Sequence, residues 1–309
     1  MSESAGTVTD KFGFLPINRG VIFDGGQIRP VPDLAEIIER AEKATHEDGF
    51  VDPPITVKRT APFFDEKWRK IPEEEVEWKE VPGSQRAGFL HRFPASHEIE
   101  IRSSRSKDDL RKSDLALLIH FIGYIFGYRM QFHDWWHDGR VSMRGRHWVE
   151  VPQHLESDLL SCAYTTWKGW PEPEQTRFTN LLYMNGRVET HRWDWEQFTV
   201  NYMVFDACYK MVEEIEKWSP DKHKKRFHRL FGHFGIPMEE SQIGEIIRLR
   251  NELFHESLWD GGQPGAHSER AFPQVNNLKR INERLICGIA GYRTRFLSTE
   301  WWHIGQVAF

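Results

Sequence analysis

The stretch IIRLRNELFHESLW, residues 246–259, decides the fold of the second half of this sequence. At about 100° per residue, a helix through it separates apolar from polar side chains. The polar side carries Arg248, Asn251, Glu252 and His255, and the apolar side carries Ile243, Ile246, Leu249, Leu253 and Phe254. The stretch therefore predicts a helix with one core face and one face capable of chemistry.

Length and composition indicate a water-soluble globular protein. The 309 residues are enough for two unequal domains and a sizeable core. With 39% hydrophobic and 28% charged residues and a mean hydropathy of -0.60, the chain is too apolar for disorder and too polar for the membrane. A net charge of -5 gives no global field for indiscriminate nucleic-acid binding.

Two short basic segments are candidates for a local anion-binding patch. They are residues 217–229, which include SPDKHKKRFHR, and residues 140–146, RVSMRGR. Each is also typical of a solvated helix end or loop, and that alternative stays open.

The cysteines and the N-terminus bear on the compartment. Cys162, Cys208 and Cys287 lie far apart in apolar helical segments without a CxxC pair, which predicts buried thiols in a reducing compartment. The start MSESAGTVTDKFG has neither a basic nor an apolar signal region, so we expect a cytoplasmic protein.

The first 150 residues predict a mixed, mostly β domain. Residues 1–10 are small and polar and predict a frayed tail. The runs FGFLPI, GVIFD and QIRPV, and later ITVKRT, VEWKEV and HEIEIR, predict strands. Between these two groups, residues 33–46 have helical spacing, with Asp33 placed to cap the helix.

Residues 115–128, LALLIHFIGYIFGY, are the most apolar segment. A membrane span needs about 20 apolar residues, whereas His120 interrupts this run and Asp114 and Arg129 bound it. We expect a buried helix, with a peripheral membrane helix as the alternative, and we expect His120 to be a core histidine.

The segment YRMQFHDWWHDGRVSMRGRHWVEV predicts two strands joined at Asp138-Gly139, a hairpin signal. His133 and His137 have the spacing of a helical metal pair, with Asp134 and Asp138 beside them. On strands those side chains do not converge in that way, so an aromatic rim with hydrogen-bonding histidines is favoured over a metal site.

Residues 151–309 predict an all-α domain, which makes the fold class α+β. Helices are expected from Leu155, from Glu172 to a C-cap at Asn185-Gly186, and in a long amphipathic run from Trp193 to Trp218. A basic helix ending at Gly235, the helix of residues 246–259 and a closing helix after residue 275 follow.

The order of these late helices and the RNELFH sequence resemble the HEPN superfamily of helical-bundle domains. The matching residues are Arg250, Asn251 and His255, and the resemblance covers roughly residues 175–300. The spacing from Arg to His is not specific by itself, because RFPASH has the same four-residue gap between Arg92 and His97. The resemblance therefore depends on the Arg-Asn pair and on its position in a late helix. An unrelated N-terminal domain before such a bundle resembles the Apea-like branch of bacterial abortive-infection proteins.

The resemblance implies a metal-independent endoribonuclease without a cofactor, acting as a toxin or antiviral effector. His255 would move protons while an RNA 2′-hydroxyl attacks the adjacent phosphorus. Arg250 would bind the phosphate through its planar fork, and Asn251 would orient the imidazole or hold an oxygen. DNA lacks the attacking group, so the substrate would be RNA. The family also implies a homodimer with a composite site, and an antitoxin or trigger protein as a partner.

The position of Arg250 conflicts with ideal helix geometry. It falls on the apolar side, about 140° from His255, whereas Arg248 falls almost beneath His255. Arg250 must therefore reach round the helix, serve a structural role, or lie on a distorted helix. Arg248 is the second candidate for the phosphate ligand, and Glu252 and Glu256 are candidates for tuning His255.

Two other functions remain open at the level of sequence. A non-catalytic HEPN dimer would bind a nucleotide or act as a scaffold, with the N-terminal domain sensing a partner. A metal-dependent hydrolase would use ligands drawn from His120, His133, Asp134, His137 and Asp138.

Overall fold

The computed structural model describes residues 6–52, 65, 67, 69–75, 90–145, 151–266 and 268–303. The expected strands ITVKRT and VEWKEV and the end of the basic segment at Arg146 lie outside the described residues.

Short strands organise the first half of the chain. The described strands are β1 (Gly6–Gly13), β2 (Val21–Phe23), β3 (Gly26–Pro30), β4 (Phe50–Val51), β5 (Leu90–His91), β6 (His97–Ser103), β7 (Gln131–Phe132), β8 (His137–Asp138) and β9 (Val141–Ser142). Five of them form an antiparallel sheet of order β2-β3-β6-β1-β7. The alternation of HEIEIR places Ile99 and Ile101 in the core, so the strand expected there is confirmed. GVIFD and QIRPV are confirmed as β2 and β3.

The expected tail at residues 1–10 is wrong from Gly6 onward. Strand β1 pairs with β6 from Gly6↔Ser103 to Phe12↔His97. Its Asp10 is buried and accepts a 2.5 Å hydrogen bond from Arg111, while the ammonium of Lys107 lies 2.7 Å away. Small polar residues therefore form a strand because its partner β6 and these cations hold it in place. FGFLPI contributes only its first two residues to this strand.

The first helix, α1, runs over Leu34–Lys43 and buries Leu34, Ile37 and Ala41, as its spacing predicts. Asp33 stands at the N-cap position, but its side chain makes no capping hydrogen bond. The helix therefore begins where the sequence predicts, but the prediction that the Asp33 side chain caps it is wrong.

The expected hairpin at Asp138-Gly139 does not form. Strand β8 pairs with β5, and β9 pairs with β4, so the two segments diverge after the turn. Gly139 does adopt the left-handed conformation, with φ at 68°. Arg129 and Arg187 both bind the Asp138 carboxylate, which fixes this turn against the helices instead of closing a hairpin.

The remaining structure is helical. The helices after α1 are α2 (Lys107–Arg111), α3 (Asp114–Phe126), α4 (Gln153–Lys168), α5 (Glu172–Arg187), α6 (Asp194–Ile215), α7 (His223–Phe234), α8 (Glu240–Asn251) and α9 (Phe272–Ile289). Most of these match the expected segments, and α7 ends at Gly235 with φ at 70° as predicted. Helix α5 does not stop at Asn185-Gly186 but continues through Arg187 into a 3₁₀ turn at Val188–Thr190.

Helix α3 joins the sheet to the helices. Nearly all its side chains are buried, and it packs against α4 and α5. Its Tyr124 donates a 2.7 Å hydrogen bond to the carbonyl of Glu283 in α9. One continuous apolar cluster runs from the sheet through α3 into the helices. Among the described helices, none has both the length and the apolar character needed to cross a membrane.

The fold is thus α+β, with a small antiparallel sheet followed by helices. Helix α6 packs against both α5 and α9, and α8 contacts α7 and α9. Cys208 and Cys287 are buried as expected, while Cys162 is partly exposed. All three are free thiols.

Candidate functional site

Helix α8 presents the site, and its apolar face fixes its orientation. Ile243, Ile246 and Leu249 are fully buried, so the predicted core face is confirmed for these residues. Its neighbours α7 and α9 hold it from two sides. The last residue of the α-helix is Asn251.

A π turn follows directly, spanning Glu252–Glu256. Ser257 then ends the turn in the left-handed conformation, with φ at 57°. In a π turn the backbone bonds from residue i to i+5, so each turn holds more residues than an α-helical turn and side chains five positions apart lie closer together around the axis. The helix is therefore distorted before His255, which is one of the three arrangements that the sequence left open.

This distortion changes which side chains face the core. Leu253 is only partly buried, and Phe254 keeps 44% of its surface exposed. The prediction that Phe254 belongs to the buried face is therefore wrong, because the wider turn rotates it toward solvent.

Arg250 and His255 meet on the surface. Nη1 of Arg250 lies 2.7 Å from Nε2 of His255 and donates a 3.1 Å hydrogen bond to Oδ1 of Asn251. Because a guanidinium only donates, Nε2 of His255 accepts and carries no proton in this arrangement. Arg250 is half-buried, while Asn251 and His255 are exposed. The structure thus brings together the three residues of the sequence motif.

Arg248 lies in a separate ion-pair network. Its guanidinium contacts Glu245 at 3.0 Å, Glu252 at 2.6 Å and Asp260 at 2.7 Å. Burial lowers the pKa of Arg248, but hydrogen bonds to these carboxylates outweigh burial and raise it. Three anions already neutralise Arg248, so it is poorly suited to bind a phosphate, and its role is to fix the loop after α8.

The two glutamates beside the motif differ in their contacts. Glu252 accepts hydrogen bonds from Arg248 and, at 3.1 Å, from the backbone N–H of Gly261. Glu252 therefore belongs to the loop network and not to the surroundings of His255. Glu256 is exposed, and its carboxylate makes no hydrogen bond or ion pair with any residue that the structure describes.

Aromatic side chains from two elements support Arg250. Its guanidinium carbon lies 5.3 Å from the ring centre of Phe254 and 6.0 Å from that of Tyr202 on α6. The hydroxyl of Tyr202 lies 3.0 Å from Nδ1 of His223, the first residue of α7. Burial, followed by the charge of Asp206, raises the pKa of Tyr202, so its hydroxyl stays protonated at neutral pH.

Tyr202 and His223 are neighbours of the motif that the sequence did not indicate. They lie on different helices, 48 and 27 residues before Arg250, so no spacing within one element connects them to it. Only the packing of α6 against α7, and of α7 against α8, makes them neighbours.

The basic segment of residues 217–229 is mostly neutralised by neighbouring acids. Its ion pairs are Lys224 with Glu240 at 3.0 Å, Arg226 with Asp206 at 2.7 Å and Arg229 with Asp221 at 2.7 Å. Lys222 and Lys225 are exposed at the start of α7. In the other basic segment, Arg140 pairs with Asp48 at 3.3 Å.

The histidines and aspartates considered for a metal do not form a ligand cluster. Asp134 pairs with Arg111 at 2.8 Å, and Asp138 binds Arg129 and Arg187. His137 is buried against Phe93, with ring centres 5.4 Å apart. Within the described ranges, no three His, Cys, Asp or Glu residues are arranged to hold a metal ion.

The arrangement around His255 can hold an anion and move a proton. It combines a half-buried guanidinium, an imidazole nitrogen that accepts, and an amide. Asn251 and His255 are exposed, so a chain-like ligand can reach them. Comparison of the chain with family models, with curated proteins and with solved structures finds no match.

Proposed function

We propose that this protein is a metal-independent endoribonuclease whose helical second half is an HEPN-type bundle. The observation that carries the proposal is the 2.7 Å contact between Arg250 and His255, with Asn251 bonded to the same guanidinium. These groups supply phosphate binding and proton transfer at one surface point.

In the proposed reaction, an RNA phosphate takes the place of the imidazole as the acceptor for Arg250. This exchange frees Nε2 of His255 for proton transfer, and the guanidinium neutralises charge that develops on the phosphorane. The 2′-oxygen bonds to phosphorus as the bond to the 5′-oxygen breaks, giving a 2′,3′-cyclic phosphate and a 5′-hydroxyl. Asn251 holds a nonbridging oxygen or the imidazole.

The biological setting of the proposal is a cytoplasmic toxin or antiviral effector of the abortive-infection type. The protein would act as a homodimer through the helical domain of residues 151–309, with Phe254 at the contact. Its exposed ring beside His255 is the kind of apolar group that a symmetric partner covers. The domain of residues 1–150 would bind a trigger protein or an antitoxin.

The test uses purified full-length protein, single-stranded RNA and excess chelator. Wild-type protein should release fragments with 2′,3′-cyclic phosphate ends, and His255→Ala should slow cleavage by about 100-fold or more. His228→Ala is the matched control, since His228 is an exposed histidine on α7 that pairs with Glu240 at 3.0 Å. This control should cleave like wild type.

Three results separate the alternatives. Intact RNA, or equal cleavage by wild type and His255→Ala, would contradict the proposal. RNA or nucleotide that raises the melting temperature without being cleaved would favour a non-catalytic binding dimer. Cleavage only after a divalent cation is added would indicate metal-dependent hydrolysis.

A further inference from the structure

A second histidine lies beside the motif, on a different helix. His223 opens α7, and its ring centre lies 5.9 Å from that of Tyr202. The ring of Tyr202 lies 6.1 Å from that of Phe254 and also faces the guanidinium of Arg250. Tyr202 therefore contacts both the start of α7 and the π turn that carries His255.

We infer that His223 is a second catalytic histidine, which takes the proton from the attacking RNA 2′-hydroxyl while His255 protonates the leaving 5′-oxygen. This inference rests on the proposed function and divides its proton transfers between two groups. Attack on phosphorus needs a base at the incoming oxygen and an acid at the outgoing one. These positions lie on opposite sides of an in-line phosphorane, so one imidazole cannot serve both at once.

The hydrogen bond to Tyr202 prepares His223 to act as a base. When Nδ1–H donates to the tyrosine oxygen at 3.0 Å, the lone pair of Nε2 is free to take a proton. Tyr202 is 2% exposed, so it has little freedom to move and fixes the plane of the imidazole. Tyr202 is therefore a positioning residue for His223.

The electrostatic surroundings keep His223 neutral. Burial lowers its pKa most, and the positive charges of Arg250, of Arg226 and of His255 when that imidazole is protonated lower it further, while Asp206 raises it. A base must be unprotonated before it can act, so this environment keeps His223 active at neutral pH. Tyr202 links His223 to Arg250 and to the π turn, because it contacts all three.

The proposed step balances without any further reactant. The 2′-hydroxyl proton passes to Nε2 of His223 as the bond from the 2′-oxygen to phosphorus forms. His255, freed from Arg250 when the phosphate binds, takes up a proton from solvent, and this proton passes to the 5′-oxygen as the bond from phosphorus to that oxygen breaks. Solvent then returns both histidines to their starting protonation states.

The first experiment measures single-turnover RNA cleavage against pH for wild type and for His223→Asn. Asparagine keeps an N–H near the position of Nδ1, so the contact with Tyr202 is preserved. The variant should melt like wild type, cleave about 100-fold more slowly, and lose the ascending limb of the pH profile. His228→Ala, on the same helix, should keep both the rate and the limb.

The second experiment assigns the two roles. An RNA in which sulfur replaces one bridging 5′-oxygen has a leaving group that departs without a proton, because thiols are more acidic than alcohols. This substrate should bring His255→Ala to within about tenfold of wild type but leave His223→Asn slow. Rescue of His223→Asn alone would overturn the assignment of roles.

The outcomes distinguish this inference from the proposed function. If wild type cleaves and His223→Asn matches it in rate and pH profile, the inference fails and the ribonuclease proposal stands. If wild type leaves RNA intact, both fail together.

Discussion

Nη1 of Arg250 lies 2.7 Å from Nε2 of His255, although a straight α-helix would place the two side chains about 140° apart. The π turn at Glu252–Glu256 reduces this separation, because it holds more residues per turn than an α-helix, and the long side chain of Arg250 spans the rest. The contact is thus a property of the local backbone. The contact between Arg250 and His255 therefore depends on the residue that ends the π turn.

Ser257 ends the π turn at a φ of 57°, a conformation that glycine adopts freely and β-branched residues adopt poorly. Removing the left-handed strain of a non-glycine residue outweighs the extra chain entropy of glycine, so Ser257→Gly should stabilise the protein by about 0.5–1 kcal/mol and keep cleavage intact. Ser257→Val should destabilise the turn and separate Arg250 from His255. Urea unfolding and RNA cleavage at equal folded fraction measure both effects. Equal behaviour of the two variants would contradict the role given to this backbone conformation.

Substitutions of Arg248 and Arg250, which are two positions apart, should have different effects: the first should lower stability and the second should lower the cleavage rate. Arg248→Met leaves Glu252 without its cation, and leaves Glu245 and Asp260 with only the exposed Arg270, so it should lower the free energy of unfolding by about 1–3 kcal/mol. Its cleavage rate per folded molecule should change little. Chemical denaturation measures the free energy of unfolding, and RNA cleavage divided by the concentration of folded protein measures the rate.

Arg250→Lys should show the opposite behaviour. The ammonium keeps the charge but cannot reproduce the planar fork, so cleavage should fall by about 100-fold while the melting temperature stays near wild type. Loss of stability without loss of rate in Arg250→Lys would exchange the roles of the two arginines.

Local pattern was enough to predict α8 and its core face, because Ile243, Ile246 and Leu249 repeat at helical spacing. The same pattern misplaced Phe254, since periodicity assumes an unbroken α-helix and carries no signal for a π turn. It also ranked Arg248 as a candidate phosphate ligand. That ranking ignored Glu245 and Asp260, which reach Arg248 from one helical turn before it and from the following loop.

Two features of the strands could not be predicted because contacts between residues far apart in sequence determine them. Strands β2, β3 and β6 follow from alternation, but β1 is rich in small and polar residues and exists because β6 pairs along its whole length. The turn at Asp138-Gly139 has hairpin residues, yet distant strands and two arginines determine its pairing. Contacts between residues far apart in sequence decided both cases.

Asp10 on β1 should make the protein sensitive to acid. Burial raises the pKa of Asp10, but hydrogen bonds from Arg111 and Lys107 outweigh burial and lower it below 3.8. A lowered carboxylate pKa stabilises the fold above the unfolded pKa, and that stabilisation is lost as pH falls through the folded value.

Asp10→Asn should therefore cost about 3 kcal/mol at pH 7, because Arg111 loses its buried partner. The difference from wild type should shrink once pH falls below 4. Lys43→Ala, which breaks an exposed pair with Glu39, is the control and should change stability little. A difference between Asp10→Asn and wild type that stays constant from pH 7 to pH 3 would contradict this assignment.

His120 on α3 should make stability depend on pH over a higher range than Asp10 does. Burial, followed by the positive charge of Arg129, lowers the pKa of His120 to about 4. The unfolded chain takes up this proton near pH 6.5, whereas the folded chain does not, so His120 makes the protein less stable as pH falls from 6.5 to 4. Below pH 4 this contribution levels off.

His120→Gln removes the titrating group, so its unfolding free energy should fall less steeply over that window than that of wild type. Some slope should remain, because burial also lowers the pKa of His97 to about 4. An NMR titration of the His120 ring should give a midpoint near 4, and a midpoint near 6.5 would contradict the burial argument. Because His120 faces Tyr183, with ring centres 5.4 Å apart, the same titration reports whether the packing of α3 on α5 survives acid.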